Sequence, residues 1–386
     1  MFNRLLKTTK NNSFFLFGAR STGKTSLVRE LFTPKDALFI DLLDPAEYRL
    51  FLSGPHELKA RIDQMEARKK WVIIDEVQRV PALLDIVHQE SLLSAKQFVL
   101  TGSSARKLKR GAANLLAGRA FVYHLYPLTC AELGDIFSLD YVLNWGSLPQ
   151  VFSFDNDIDR RDFLDAYAHT YLREEIVSEQ LVRGIEPFNR FLAVAAQMSG
   201  KIINYANVAR DSGVSTPTAQ TYFQILEDTL VGAKLLPYHE SIRKRQSGNP
   251  KFYFFDNGVC RALSQTLTIP VLPQSYGYGN AFESFVINEI MRLNHYKRRD
   301  YNLSYLRTKS RLEIDLIVEK PAKKVAAIEI KSTDQIRKED LRRFVTLGSS
   351  IENCELFCFS RDPHPKKIDN VLCLPWYEWL IELGLV

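Results

Sequence analysis

Cysteine is scarce in this chain and its number is odd, five in 386 residues. That excludes the disulfide framework on which small extracellular scaffolds depend. Cys354 and Cys358 stand four apart in CELFC with no second ligand pair nearby, so they read as buried structural cysteines rather than a zinc site. Long apolar runs are also missing. FFLF at Phe14–Phe17 and WVII at Trp71–Ile74 fall far short of the roughly 18–20 residues that span a bilayer, so no membrane segment is expected. The N-terminal MFNRLLKTTKNN carries basic residues without an apolar stretch behind them, which predicts no secretory signal and a cytoplasmic protein. Charge of one sign is in small excess, 51 basic residues against 45 acidic for a net +6. A polyanionic partner must therefore be argued from local clusters rather than from the total. What remains, 46% hydrophobic and 25% charged, is the composition of a globular chain with a large core, at a length that suits several domains.

Along the chain the pattern changes several times. Over residues 1–135 the runs FFLFGA, ALFIDLL, WVIIDEV, QFVLTGS and AFVYHLY alternate with helical stretches. Continuous apolar runs of that length suit parallel strands covered by helices on both faces, an α/β layered domain. Residues 136–186 turn helical, with apolar positions at three- and four-residue spacing in DRRDFLDAYAHTYLREEIVSEQL. Residues 187–258 predict two short helices, a turn at Gly213-Val214-Ser215, and a third helix with Thr216 as N-cap and Pro217 in its first turn. The hairpin AKLLPYHE…KFYFF follows, with Arg243, Lys244 and Arg245 at its tip. That is the outline of a winged helix. Residues 259–386 read as a second α/β unit: the helix AFESFVINEIMRLN, the strands LSYLRT, EIDLIVE, KVAAIEIK and CELFCFS, and the crossover helix DQIRKEDLRRFVTL.

The strongest motif is GARSTGKT at Gly18–Thr25, which fits G-x-x-x-x-G-K-[ST] between a predicted strand and a predicted helix. Gly18 and Gly23 let the backbone curl so that the N–H groups of Ala19, Arg20, Ser21, Thr22 and Ser26 surround phosphate at a helix N-terminus. Lys24 is placed for the β- and γ-phosphates of ATP and Thr25 for Mg2+. Fifty residues on, a buried strand ends in Asp75-Glu76, where open α/β sheets bind ligands. Asp75 is expected to hold Mg2+ through water and Glu76 to orient or activate the attacking water. Thr101, Ser103 and Ser104 end the next strand, and Ser103 is the expected contact to the γ-phosphate. Arg119 precedes the fifth strand and is either an arginine finger toward a neighbouring subunit or an ordinary exposed arginine. Arg106, Lys107, Lys109 and Arg110 form a basic loop just upstream.

Taken together, GARSTGKT, IIDEVQ, LTGSSA, LAGR, YPLTCAEL, GSLPQV and PKFYFFDNGVCRAL resemble the bacterial and archaeal AAA+-type ATPases that pair an AAA_14 domain with a C-terminal DUF4143 domain. The resemblance covers nearly the whole chain and implies a P-loop fold with helical subdomain, ATP hydrolysis, and an oligomer for which a hexameric ring is one candidate.

A second constellation lies in the last unit. Asp315 in EIDLIVE is followed by Glu329 and Lys331, two apart in AAIEIKST and so on one face of a strand. Two carboxylates brought together by adjacent strands are costly unless a divalent ion joins them. The pattern resembles the PD-(D/E)XK core of restriction-endonuclease-like domains. That resemblance implies Asp315 and Glu329 as Mg2+ ligands, Lys331 as the group that stabilises hydroxide or the pentavalent phosphate, and Glu283 on the preceding helix as the completing ligand. Between them Arg292, Lys297, Arg298, Arg299, Arg307, Lys309 and Arg311 interleave with Tyr296, Tyr301 and Tyr305, a composition suited to a phosphodiester track or to a solvated loop. The expected function is an ATP-dependent protein that binds and processes duplex DNA, DNA ends or branched DNA in repair, recombination or defence. The alternatives are a nucleotide-gated switch with slow hydrolysis and a non-cutting nuclease-fold scaffold.

Overall fold

The structure is a computed structural model that describes residues 2–104, 118–171, 185–239 and 248–385. Arg106, Lys107, Lys109 and Arg110, and the hairpin-tip residues Arg243, Lys244 and Arg245, lie outside the described residues. By Cα packing the chain divides into two compact units: residues 1–128 with 148–150 and 225–231, and residues 129–147, 151–224 and 232–386.

The first unit is built on five strands, β1 Ser13–Phe17, β2 Ala37–Asp41, β3 Trp71–Asp75, β4 Gln97–Gly102 and β5 Ala120–His124. They form one parallel sheet in the order β2-β3-β4-β1-β5. β1 and β3 are buried at every residue, which is why their sequences are continuous apolar runs rather than alternating ones. Burying each Val, Leu, Ile or Phe of these strands stabilises the unit by roughly 1.5–3 kcal/mol. On one face of the sheet Phe15, Phe17, Ile74 and Leu100 join Phe51, Leu58, Leu84 and Val87 of the covering helices in a single core. Asp44 caps the Pro45–Ser53 helix by accepting from Ala46 N–H, with proline in the first turn where its missing N–H is harmless.

In the second unit the helices Ile185–Gln197 and Tyr205–Ser212, and residues 216–224 of the helix Thr216–Asp228, are followed in sequence by a hairpin of β6 Gly232–Pro237 and β7 Lys251–Phe254. The cap of the third helix falls one residue earlier than the sequence suggests: Ser215 Oγ accepts from Thr218 N–H at 3.3 Å. The expected boundary at 258 is crossed by hydrogen bonding, because β6 pairs in parallel with β8 Asn302–Arg307 through Leu236 and Pro237. One sheet results, in the order β12-β13-β11-β10-β9-β8-β6-β7. It contains β9 Glu313–Lys320, β10 Lys324–Lys331, β11 Cys354–Ser360, β12 Lys366–Ile368 and β13 Val371–Pro375. The 21-residue helix Tyr276–Tyr296 and the crossover helix Lys338–Gly348 belong to the same unit. Cys358 and Cys373 are buried opposite each other on β11 and β13, as structural cysteines.

Candidate functional site

The P-loop lies between β1 and the helix Lys24–Leu31, at the C-terminal end of a parallel strand where ligands of open α/β sheets bind. Two of its positions require glycine. A Cβ at Gly18 would stand 2.4 Å from Leu125 O, and Gly23 has φ +95°. Ser21 also adopts positive φ, 62°, and the Thr22 N–H turns back to Ala19 O at 3.4 Å. Ala19 and Thr22 are buried, while Arg20 and Ser26 face solvent. Thr22 closes the loop on itself by donating to Ala19 O at 2.8 Å. Arg4, which carries no motif, braces it from outside by donating to Thr22 O at 2.7 Å and Tyr126 O at 2.6 Å.

Inside the loop Lys24 Nζ donates to Gly18 O at 2.8 Å and Ala19 O at 3.4 Å, and lies 3.7 Å from Glu76 Oε1. Thr25 Oγ1 donates to Asp75 Oδ2 at 2.7 Å, and Thr101 Oγ1 donates to Asp75 Oδ1. A hydroxyl and a carboxylate converging beside a cation at a helix N-terminus form an oxygen donor set that fits Mg2+ with a nucleotide triphosphate. Glu76 sits at φ 60°, a left-handed conformation uncommon for a residue other than glycine. That geometry lets its N–H reach Thr101 Oγ1 at 3.1 Å as the chain leaves β3. Gln78 Nε2 donates to Glu76 Oε2 and, at 3.2 Å, to Ser103 Oγ. Thr101 thus binds the two acidic positions, and Ser103 belongs to the Gln78 contact. Gln78 lies within IIDEVQ, two residues past the glutamate, which is the signal by which the sequence announces it.

Arg119 is exposed immediately before β5. The P-loop leaves the opposite end of β1, parallel to β5, so one strand length of about 17 Å separates them. Arg119 does not reach the phosphate site of this chain.

The acidic residues of the second unit are brought together. β9 and β10 are antiparallel in a register that continues to Asp315 opposite Glu329, and Ile330 N–H donates to Asp315 Oδ2 at 2.8 Å. Glu329 Oε1 pairs with Lys331 Nζ at 2.6 Å, and its buried Oε2 has no hydrogen-bond partner. Glu283 accepts from Tyr253 OH at 2.7 Å. A residue outside the expected set completes the pocket. Lys251, at the start of β7 and 3% exposed in its side chain, pairs with Glu313 at 2.7 Å and Glu283 at 3.2 Å. Burial, and then the Glu329 and Glu283 charges, push Asp315 well above the ordinary carboxylate range, and burial raises Glu329 despite Lys331. Burial opposes the charge of Lys251, yet the surrounding carboxylates of Glu283, Asp315 and Glu313 hold its ammonium protonated. Among the described residues no group of three or more His, Cys, Asp or Glu side chains is arranged to hold a metal ion. The one hint of Lys251 in the sequence is a lone charge opening the apolar run KFYFF.

The basic and aromatic stretch is not a continuous track. Arg292 is buried, donating to Phe255 O and pairing with Glu289 at 3.2 Å, and Tyr296 and Tyr305 are buried too. The exposed cations divide into Lys297, Arg298 and Arg299 before β8, and Arg307, Lys309 and Arg311 at and after its end. About 20 Å of strand lies between the two groups.

With the geometry in place, comparison with known proteins is informative for the first unit. Residues 10–134 match the family model of an AAA domain, AAA_14. An AAA+-type ATPase is what the match supports. Behind this AAA domain, residues 136–268 match a domain of unknown function, DUF8612, and residues 278–379 another, DUF4143. An uncharacterized protein of Mycobacterium tuberculosis is 28% identical over 312 residues, 79% of this chain and 67% of the relative. One from Haemophilus influenzae is 22% identical over 341 residues, 81% and 78% of the two chains. Among solved structures, the Aeropyrum pernix ORC1 protein in complex with DNA aligns with TM-score 0.29 and 11% identity, over 67% of this chain and 87% of that one. Thermococcus gammatolerans McrB AAA+ hexamers with bound McrC align with TM-score 0.21 and 11% identity, over 50% and 47%. At such scores neither structure bears on fold or function. No helix among the described residues is long and apolar enough to cross a membrane.

Proposed function

We propose that this chain binds and hydrolyses ATP through the P-loop site and couples that cycle to an action on DNA. The observation that carries the first part is the convergence of Lys24, Thr25, Asp75 and Glu76 on one loop mouth. In this reading Lys24 binds and neutralises phosphate oxygens, Thr25 and Asp75 hold Mg2+, and Glu76 takes or orients a proton of the attacking water. Bound Mg2+ supplies charge neutralisation as the phosphoryl group transfers. Thr101 and Gln78 fix the backbone and side chain of Glu76, which determines where that proton goes. The DNA part rests on the three helices and the β6–β7 hairpin, which follow the order of a winged helix. Pro217, Gln220, Thr221 and Gln224 form the exposed, uncharged face of its third helix, suited to base edges rather than phosphates. The two exposed basic groups beside β8 supply the phosphate contacts.

A specific observation favours a second reading, a slow nucleotide-gated switch. Glu76 is already engaged by both Lys24 and Gln78, so a base held this way turns over slowly until released. ATPase rates with single-stranded, blunt duplex and four-way branched DNA, for wild type and Lys24→Ala, test both. Acceleration by one DNA form supports coupling of the ATP cycle to DNA; a slow rate indifferent to every DNA form, with no DNA bound, leaves the switch with a protein partner. Mixing Arg119→Ala with Lys24→Ala subunits tests Arg119: activity restored in the mixture supports a finger acting between subunits.

A further inference from the structure

The structure assigns Lys251 the place that a divalent cation takes in a nuclease-like acidic site: we propose that this pocket carries its own counter-ion and takes no metal. The inference stands apart from the ATP reading, since it concerns only residues of the second unit.

Four carboxylates, Glu283, Glu313, Asp315 and Glu329, meet here from the helix Tyr276–Tyr296, β9 and β10. Carboxylates gathered in a partly dry pocket repel one another and require positive charge. Each of three nearby cations is a side chain of this chain. Lys251 bridges Glu313 and Glu283 at 2.7 and 3.2 Å, Lys331 holds Glu329 at 2.6 Å, and Arg307 lies 3.7 Å from Glu313. The Lys251 ammonium further lies 5.7 Å from the centre of the buried Tyr305 ring, a favourable position for a cation over an aromatic face. β7 is the edge strand of the sheet that holds β9 and β10, and Lys251 is paired across it to Leu235 and bridged to Ile202, which fixes its backbone in that sheet. A divalent ion joining Asp315 and Glu329 to Glu283 would have to displace Lys251 from Glu283 Oε1 and Lys331 from Glu329 Oε1, and among the described residues no group of three such ligands is arranged to hold one. The unit would then bind DNA without cutting it.

Lysine differs from a metal in a way that can be measured. Mn2+ serves as the probe, titrated into nucleotide-free, EDTA-treated full-length protein, with free Mn2+ followed by electron paramagnetic resonance. Wild type and Asp315→Asn are expected to bind Mn2+ alike, within twofold, because the acidic pocket takes none. Lys251→Met, which keeps the stem and removes the charge, is expected to gain a Mn2+ site at least tenfold tighter than any in wild type. The orphaned Glu329 Oε2 supplies a ligand to it, so adding Glu329→Gln should abolish the gain. Wild-type Mn2+ binding that disappears in Asp315→Asn overturns the proposal, and so does a folded Lys251→Met protein that gains no site. If Lys251→Met does not fold, the comparison of wild type with Asp315→Asn decides alone. None of these readings involves ATP or DNA, so failure here leaves the ATPase proposal standing, and failure of that proposal leaves this one.

Discussion

Lys24 and Lys251 are buried to nearly the same degree, with side chains 5% and 3% exposed, but their partners differ in kind. Lys24 rests on the carbonyl oxygens of Gly18 and Ala19, with its one carboxylate neighbour at 3.7 Å. Lys251 is enclosed by the carboxylates of Glu313 and Glu283. Carbonyl dipoles orient an ammonium without cancelling its charge, so the first lysine still attracts an anion. Carboxylates cancel it, so the second lysine is part of the packing. A buried lysine is functional or structural according to what neutralises it.

The largest expected effect separates the two lysines by readout. Lys24→Ala should lower ATP turnover by about 10²–10³-fold, the loss that follows removal of a preorganised charge at the transition state, with urea unfolding unchanged. Lys251→Ala should do the reverse. Turnover per folded molecule stays at the wild-type value, while stability of the second unit falls by about 1.5–3 kcal/mol because the half-buried Glu283 and Glu313 lose a charged hydrogen-bond partner, leaving Tyr253 on Glu283 and Arg307 near Glu313. If Lys251→Ala instead lowers turnover as Lys24→Ala does, the division into a catalytic and a structural lysine is wrong.

A smaller effect is expected from Asp315→Asn, visible as a change in pH dependence. A carboxyl whose folded pKa lies above its unfolded value binds more protons when folded, so stability falls as pH rises from the ordinary aspartate value toward the raised one. Asp315 is raised by burial and by Glu329 on β10 and Glu283 on the long helix, against Lys251 on β7, with Lys331 also beside Glu329. Urea midpoints measured from pH 5 to pH 8 should therefore decline more steeply in wild type than in Asp315→Asn, which keeps an oxygen for Ile330 N–H. Parallel slopes would show that Asp315 is not held protonated by its neighbours.

Much of this contrast is legible in the sequence. GARSTGKT, IIDEVQ and the apolar runs around them are local patterns, and local patterns specify strand, loop and helix in sequence. Hence β1 to β5 and the helix from Lys24 lie where the residues place them. The period of a strand places Glu329 and Lys331 on one face, and pairing of two neighbouring strands is the further expectation that brings Asp315 to them. What escaped was what depends on distant pairing. Lys251 reaches Glu313 only because β6 joins β8 and carries β7 into the same sheet, and nothing in KFYFF specifies that junction. Arg4 braces Tyr126 across 122 positions of chain, a contact with no motif at either end. Arg292, Tyr296 and Tyr305 looked like a surface track because their spacing is polar and aromatic, but the helix Tyr276–Tyr296 and β8 turn them inward, where Arg292 finds Glu289.

The smallest expected effect tests whether Lys24 is as uncommitted as its carbonyl partners imply. Glu76 holds Lys24 at 3.7 Å with one oxygen and Gln78 with the other, so the base and the phosphate-binding lysine restrain each other through a residue that also touches Ser103. Gln78→Leu removes the amide that engages Glu76 while keeping apolar bulk beneath Gly102, where the amide now lies within 2.6 Å of a would-be Cβ. A hydrogen bond to a charged group contributes on the order of 1.5 kcal/mol net, so freeing the carboxylate should raise basal ATP turnover by about three- to tenfold. The same change should shrink any stimulation by DNA, since part of what the ligand releases is already released. Ser103→Ala, which leaves Gln78 on Glu76, should alter the basal rate by less than twofold. A fall in basal turnover in Gln78→Leu would mean that Gln78 aims Glu76 at water rather than restraining it, and Lys24 would then be poised by the same network that aligns the base.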